Sequence, residues 1–95
     1  MNIKFKSAMI EWRGPSPFYF IPIPEPQSKK IKTLAAQLTY GWGVIPVVGK
    51  IGRTEFTTSL FPKDGLYYLP IKNQVRFAEK IDVGSEVSVQ INLGS

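Results

Sequence analysis

The sequence predicts a mainly β fold: a small closed or double-split β-barrel of six strands, capped by one or two short α-helices. Three observations favour this fold class. Segments that alternate apolar and polar residues follow one another along the chain, eight Gly and eight Pro residues supply frequent turns, and only two segments have helical character. With 95 residues the chain has room for one core, so we expect a single domain over residues 1–95.

The clearest strand is the last one. Val87, Val89, Ile91 and Leu93 alternate with polar residues, which predicts one buried face and one solvated face. The first strand runs from Ile3 to Trp12 and ends at Gly14-Pro15.

The next two segments differ in period. Residues 18–23 are apolar on both faces and end among prolines, so we expect a short strand near a sheet edge. Ile31, Leu34, Ala35 and Leu38 then have the spacing of an amphipathic helix. Ser28 is its predicted N-cap and Gly41 its predicted stop, and its lysines should face water.

The rest of the chain returns to β character. Val44 to Ile51 and Arg53 to Phe61 predict a hairpin around Gly52, and residues 62–65 predict a turn. Leu66 to Ile71 predicts another strand, and Asn73 can cap a short helix that continues to Ile81. Because most strands are consecutive, an antiparallel or mixed barrel is favoured over a doubly wound sheet.

Charge and cysteine content bear on partners and compartment. Lys and Arg outnumber Asp and Glu by 12 to 7, which gives a net charge of +5 and suits either an anionic partner or an ordinary solvated surface. There is no cysteine, hence no disulfide framework, and the cytoplasm is the expected location. The alternating start of the chain does not resemble a signal peptide, and no stretch approaches the roughly 20 apolar residues of a membrane span.

Catalytic chemistry has few candidates here. There is no histidine and no cysteine, so the commonest general base, thiolate nucleophile and metal ligands are missing. A catalytic pair of carboxylates would have to come from only seven acidic residues. Ser59 as a nucleophile with Lys63 as its base is a weak candidate, because a serine near a strand end and a lysine in a turn are usually structural. We therefore predict no catalytic residue, metal site or cofactor, and the enzyme question stays open with a leaning towards no.

Basic residues are interleaved with aromatic ones, as in small barrels that bind nucleic acid. The set is Lys4, Phe5, Lys6, Trp12, Arg13, Phe18, Tyr19 and Phe20, followed by Trp42, Lys50 and Arg53. In so short a chain we expect most of the aromatic side chains to fill the core.

Several separated motifs carry a family resemblance. They are Trp12-Arg13-Gly14-Pro15 with Phe18 and Phe20, the run Gly41-Trp42-Gly43-Val44-Ile45-Pro46-Val47, the run from Thr58 to Lys72, and Val75-Arg76. Together they resemble the bacterial and archaeal family named domain of unknown function 1905. The resemblance implies a closed or double-split barrel with helical caps, in longer chains sometimes fused to a domain of the YdeI/OmpD-associated type, and it implies no activity for any residue.

The C-terminal unit has a second, shorter similarity. Leu69-Pro70, Val75-Arg76, Ile81, Gly84 and Val87 to Val89 look like the strand, helix and strand of swapped-hairpin DNA-binding regulators and antitoxins. Ser85 stands where their pattern usually has Asp, so a shared fold is the better reading of this similarity than a shared function.

Two functional hypotheses follow. The first is a non-catalytic module that binds a small ligand or a protein, with candidate residues Trp42, Arg53, Ser59, Lys63, Lys72 and Arg76. The alternative is a nucleic-acid-binding protein whose basic face consists of Lys29, Lys30, Lys32, Arg53 and Arg76. The oligomeric state is left open, because exposed strand edges could pair with a second copy.

Overall fold

The computed structural model describes residues 1–15, 17–38 and 44–93. The predicted helix stop at Gly41 falls outside these ranges. Nine elements lie within them, namely β1 (Asn2–Ala8), β2 (Ile10–Arg13), β3 (Pro17–Pro22), α1 (Glu25–Leu38), β4 (Ile45–Ile51), β5 (Thr54–Lys63), β6 (Leu66–Ile71), α2 (Asn73–Glu79) and β7 (Glu86–Leu93). The protein is mainly β, as the sequence predicts.

The strands form an antiparallel sheet in the order β1-β7-β4-β5-β6-β3-β2, curved into an open half-barrel. The described residues contain seven strands where six were predicted, because the first predicted strand divides at Met9. The N–H of Met9 donates to the carbonyl of Ser85 at 3.2 Å, and its carbonyl accepts from the N–H of Gly84 at 2.8 Å. The chain therefore passes at Met9 from one end of the sheet order to the other.

One face of the sheet carries the core, which includes Ile21, Leu69, Ile71, Val89 and Ile91. We call it the core face, and we call the opposite side of the same strands the outer face. Residues on a strand alternate between the two faces, and register partners share a face. The face on which a strand residue lies therefore follows from its position in the strand and from its register partner.

Helix α1 begins at Glu25, earlier than predicted, and Ser28 is not its N-cap. Proline is tolerated in a first helical turn, so Pro26 does not delay the start, and the acidic Glu25 suits the N-terminal end of the helix dipole. Ser28 is instead 2% exposed. Its hydroxyl donates to the Ile23 carbonyl at 2.8 Å and accepts from the Tyr67 N–H at 3.0 Å, which anchors α1 to β6.

Helix α2 also differs from its prediction at both ends. Lys72 is the N-cap residue, with extended backbone and no capping side chain, and Asn73 is the first helical residue. The Asn73 carboxamide oxygen accepts from Nη1 of Arg76 at 2.9 Å instead of capping the helix. The helix ends before Lys80, whose left-handed backbone turns the chain two residues earlier than expected.

Two tight features lie in the hairpins. Asp64 and Gly65 both have positive φ, 53° and 79°, as in a two-residue hairpin turn. The turn is shorter than the predicted one over residues 62–65, because Pro62 and Lys63 continue β5. Within the β4–β5 hairpin, Gly49 is the register partner of Phe56, whose ring lies directly over it.

Candidate functional site

A cluster of five aromatic side chains lies on the outer face of the sheet, and we call it the aromatic surface. Its members are Trp12, Phe18, Phe20, Phe61 and Tyr68. Phe20 is central, with ring-centroid distances of 5.6 Å to Trp12, 6.4 Å to Phe18 and 5.2 Å to Phe61, and Phe61 stacks on Tyr68 at 5.7 Å. Both edge-to-face and stacked arrangements occur, and both are favourable for aromatic pairs.

The strand registers explain why these rings meet. Trp12 lies opposite Phe18 in the β2–β3 ladder, and Phe61 lies opposite Tyr68 in the β5–β6 ladder. Phe20 follows Phe18 by two residues and therefore points to the same side. The neighbours Tyr19 and Ile21 point to the core face, so β3 is apolar on both sides.

The outer end of this cluster is open to solvent. Phe18 is 57% exposed and Trp12 is 44% exposed, and the neighbouring Ile10 is exposed as well. Single exposed apolar residues are common, but a contiguous set usually marks an interaction site. Trp12 and Phe18 are exceptions to the expectation that most aromatic side chains fill the core, because their strand positions face away from it.

A lysine completes the aromatic surface. Nζ of Lys63 lies 3.0 Å from the centroid of the Trp12 ring, a cation–π geometry. Lys63 is the last residue of β5, directly before the turn at Asp64 and Gly65, and it shares the outer face with Phe61. The ammonium group therefore covers one face of the Trp12 ring, and the exposed Phe18 ring lies opposite Trp12 in the β2–β3 ladder, beside this positive charge.

A second polar region lies at the other end of the same face. Lys4, Lys6, Lys50, Ser88 and Gln90 lie along an open groove of about 600 Å³, which we call the lysine groove. Gln90 is the register partner of Lys4 on one side and of Lys50 on the other, so the three side chains form one row across β1, β7 and β4. Carboxylates border the groove as well, since Glu86 lies 3.9 Å from Lys6 and Glu55 is the register partner of Lys50.

The predicted ligand-binding residues are distributed over several places. Ser59 and Lys63 share the outer face of β5, while Arg53 lies in the exposed β4–β5 turn. Lys72 lines a separate cleft of about 480 Å³ between β5 and α2. The Arg76 guanidinium lies 3.7 Å from the Tyr19 ring centroid, and Trp42 falls outside the described residues. Among the described members of this set, Lys63 contacts the aromatic surface at Trp12, and Ser59 lies on the same face of β5 two residues before Phe61.

The predicted basic face divides in a similar way. Lys29, Lys30 and Lys32 are exposed on α1, where Lys29 pairs with Glu25 at 3.1 Å. Helix α1 packs through the fully buried Ile31 on the core face. The α1 lysines are thus presented by an element on the core side, whereas the lysine groove lies on the outer face.

Two groups away from the aromatic surface and the lysine groove have displaced pKa values. Hydrogen bonds from Arg13, whose Nε lies 2.9 Å from Oε1, and then from Tyr19 hold the pKa of the Glu11 carboxyl below its ordinary value. Burial raises the pKa of Tyr67. A general acid acting near neutral pH needs a raised carboxyl pKa, so Glu11 is shifted in the wrong direction for that role. Over the part of the chain that the structure describes, no three acidic side chains gather in a way that could hold a metal ion.

The sequence indicates which residues are aromatic but not that five of them share one surface. The usable signal was β3 itself, where Phe18, Tyr19, Phe20 and Ile21 are all apolar or aromatic, so that both faces of one strand need a partner. The lysine groove had a partial signal, since Lys4 and Lys6 alternate with Phe5 on one strand, but the residue pattern does not show that Lys50 joins them across β7.

Comparison with known proteins adds a family but no activity. A family model described as Domain of unknown function (DUF1905) matches residues 5–91. No curated protein matches the chain. Neither helix within the described ranges has the length and apolar character needed to cross a bilayer.

Proposed function

The chain belongs to the DUF1905 family of domains of unknown function, and we propose that it is a non-catalytic binding module for planar, negatively charged ligands. The observation that carries this proposal is the ammonium group of Lys63 over the ring of Trp12, beside the exposed Phe18. A planar ligand can stack on the exposed rings while its negative charge is attracted by the lysine.

The energetics favour stacking as the source of affinity. Stacking of a base on an aromatic side chain contributes about 1–3 kcal/mol, judged by alanine substitution. A charge-assisted contact to Lys63 adds to this, although Lys63 already interacts with Trp12 and would have to share that interaction. A single planar anion should therefore bind weakly, in the range of about 0.1–10 mM.

The absence of histidine and cysteine from the sequence supports binding without catalysis. Glu11, the acid whose pKa is displaced, is held in its ionised form.

The test uses Trp12 as its own reporter. The chain has two tryptophans, so a Trp42→Phe variant leaves Trp12 as the single one. In this background we expect adenosine monophosphate to quench the Trp12 fluorescence saturably, and uncharged adenosine to bind more weakly. Phe18→Ser should weaken the binding severalfold. Phe77→Ser, which removes a 69% exposed phenylalanine from α2, is the matched control and should leave it unchanged.

Two results would contradict the proposal. One is an absence of saturable quenching at millimolar nucleotide. The other is equal loss of binding in Phe18→Ser and Phe77→Ser, which would indicate a general effect of removing exposed aromatic surface.

Two further proposals concern the fold and the location of the protein. We propose that the half-barrel closes as a double-split barrel, and the passage of the chain at Met9 between the two end strands supports it. We also retain the cytoplasm as the proposed location, on the lack of cysteine. Nucleic-acid binding through Lys29, Lys30, Lys32, Arg53 and Arg76 stays an alternative prediction.

A further inference from the structure

We propose that the natural ligand is a single-stranded nucleic acid, bound across the outer face with bases on the aromatic surface and phosphates along the lysine groove. This inference rests on the proposed function and identifies the class of its ligand. It differs from the basic face predicted from the sequence in using Lys4, Lys50 and Lys63 in place of the α1 lysines, Arg53 and Arg76.

The aromatic surface and the lysine groove share the outer face of one sheet. β5 connects them, since its Phe61 belongs to the aromatic surface and its Glu55 lies opposite Lys50 of the groove. Between them on β5, Ser59 and Thr57 are exposed on the same side. A ligand can therefore pass from one region to the other without crossing a strand edge.

The distance between the aromatic surface and the lysine groove requires a ligand longer than one nucleotide. Phe61 and Glu55 are six residues apart on one strand, which corresponds to about 20 Å at about 3.3 Å per residue. One nucleotide cannot span this distance. A strand of several nucleotides can, and small β-barrels bind roughly 4–16 nucleotides per domain by the same combination of stacking and charge.

The exposed aromatic side chains favour a single strand over a duplex. Stacking on the exposed Phe18 ring needs base faces that are open to a side chain, and in a duplex each base is already covered by its neighbours. Lysines contribute to backbone binding without reading sequence, so we expect preference for single strands with little sequence specificity.

The salt dependence can be calculated from the lysines. For single strands the slope of log Kobs against log salt is about −0.7 per neutralised phosphate. Lys4, Lys50 and Lys63 give a slope of about −2, and Lys6 would extend it to about −3 if its contact with Glu86 yields.

The experiment is a fluorescence-polarisation titration with labelled oligothymidylate of about ten nucleotides, at several salt concentrations between about 50 and 200 mM. A Lys4→Gln/Lys50→Gln variant should reduce the slope by about 1.4. Lys30→Gln/Lys32→Gln removes the same charge from α1 and should leave the slope unchanged. Phe18→Ser should lower the affinity about 5-fold to 150-fold, and thermal melting of every variant confirms that it is folded.

Each outcome has a defined meaning. If adenosine monophosphate binds as tightly as the oligonucleotide, the proposed function stands and this inference is wrong. If neither binds, both are wrong. If the α1 variant changes the slope and the groove variant does not, the phosphates follow α1 and this inference is wrong. If Phe18→Ser leaves the affinity for the oligonucleotide unchanged, the bases do not stack on the aromatic surface and the inference is again wrong.

Discussion

Replacing Ser28 by alanine removes one buried oxygen atom and should destabilise the domain. The Ser28 hydroxyl is buried and makes two hydrogen bonds, of 2.8 Å to the Ile23 carbonyl and 3.0 Å from the Tyr67 N–H. In Ser28→Ala both backbone groups lose these partners in a place that water does not reach. The two groups join the entry of α1 to β6, so the loss acts on the contact between a helix and the sheet.

The magnitude follows from these two bonds. Each is worth about 0.5–1.5 kcal/mol net, and a buried group left without a partner costs about 1–3 kcal/mol. Alanine is the better helix former by about 0.5 kcal/mol, which offsets part of the loss. We expect a decrease of about 2 kcal/mol in the free energy of unfolding. For a domain of this size that corresponds to a decrease in Tm of about 8–16 °C.

The assay is urea and thermal denaturation followed by circular dichroism, with Thr33→Ala as the control. Thr33 lies on the same helix, and its hydroxyl donates to the Lys29 carbonyl at 3.1 Å in an exposed position. It gains similar helix propensity without leaving a buried group unpaired, so its effect should stay within about 0.5 kcal/mol. Equal effects of the two substitutions would refute the reasoning, because burial of the Ser28 bonds would then carry no weight.

Two other predictions concern packing and pH. Gly49→Ala places its Cβ 2.6 Å from Cζ of Phe56, so we expect a loss of about 1–3 kcal/mol in urea denaturation. A Phe56→Leu background should reduce that loss, and an equal loss in both backgrounds would exclude this clash as the cause. The Glu11 carboxyl should titrate by NMR below its ordinary pKa of 4.5, so its contribution to stability is present above about pH 4.5 and is lost as the pH falls through the folded value. Arg13→Ala should raise that pKa, and an unchanged midpoint would show that the hydrogen bond from Arg13 is not its main cause.

The elements governed by local pattern were predictable. The last strand, the turn at Asp64 and Gly65 and the strand Leu66–Ile71 lie where alternation and turn residues place them. The division of the first strand was not predictable, because the hydrogen bonds of Met9 go to residues far away in the sequence. Ser28 was misassigned for a related reason, since a serine near a helix start is usually a cap and only the fold brings Tyr67 to it.

The candidate site shows the same limit. That β3 is apolar on both faces could be read from the sequence, but which other strands contribute to its outer face depends on the strand order. Lys63 reaches Trp12 although β6 and β3 lie between their strands. A contact of this kind depends on sheet curvature, which the residue pattern does not contain.

The strand order also determines when the chain can complete its fold. β1 pairs only with β7 among the ladders described, and residues 2 and 92 are partners in that register. Its amides therefore lack their native partners until the last strand has been synthesised, and the loop that must close is nearly the whole chain. Since long-range pairing slows folding, we expect β1 to join the sheet late, on the millisecond-to-second scale of non-local β topologies. Until then Ile3 and Phe5, which are buried in the completed fold, stay in water, so we expect β1 to be a site of aggregation in the partly folded chain.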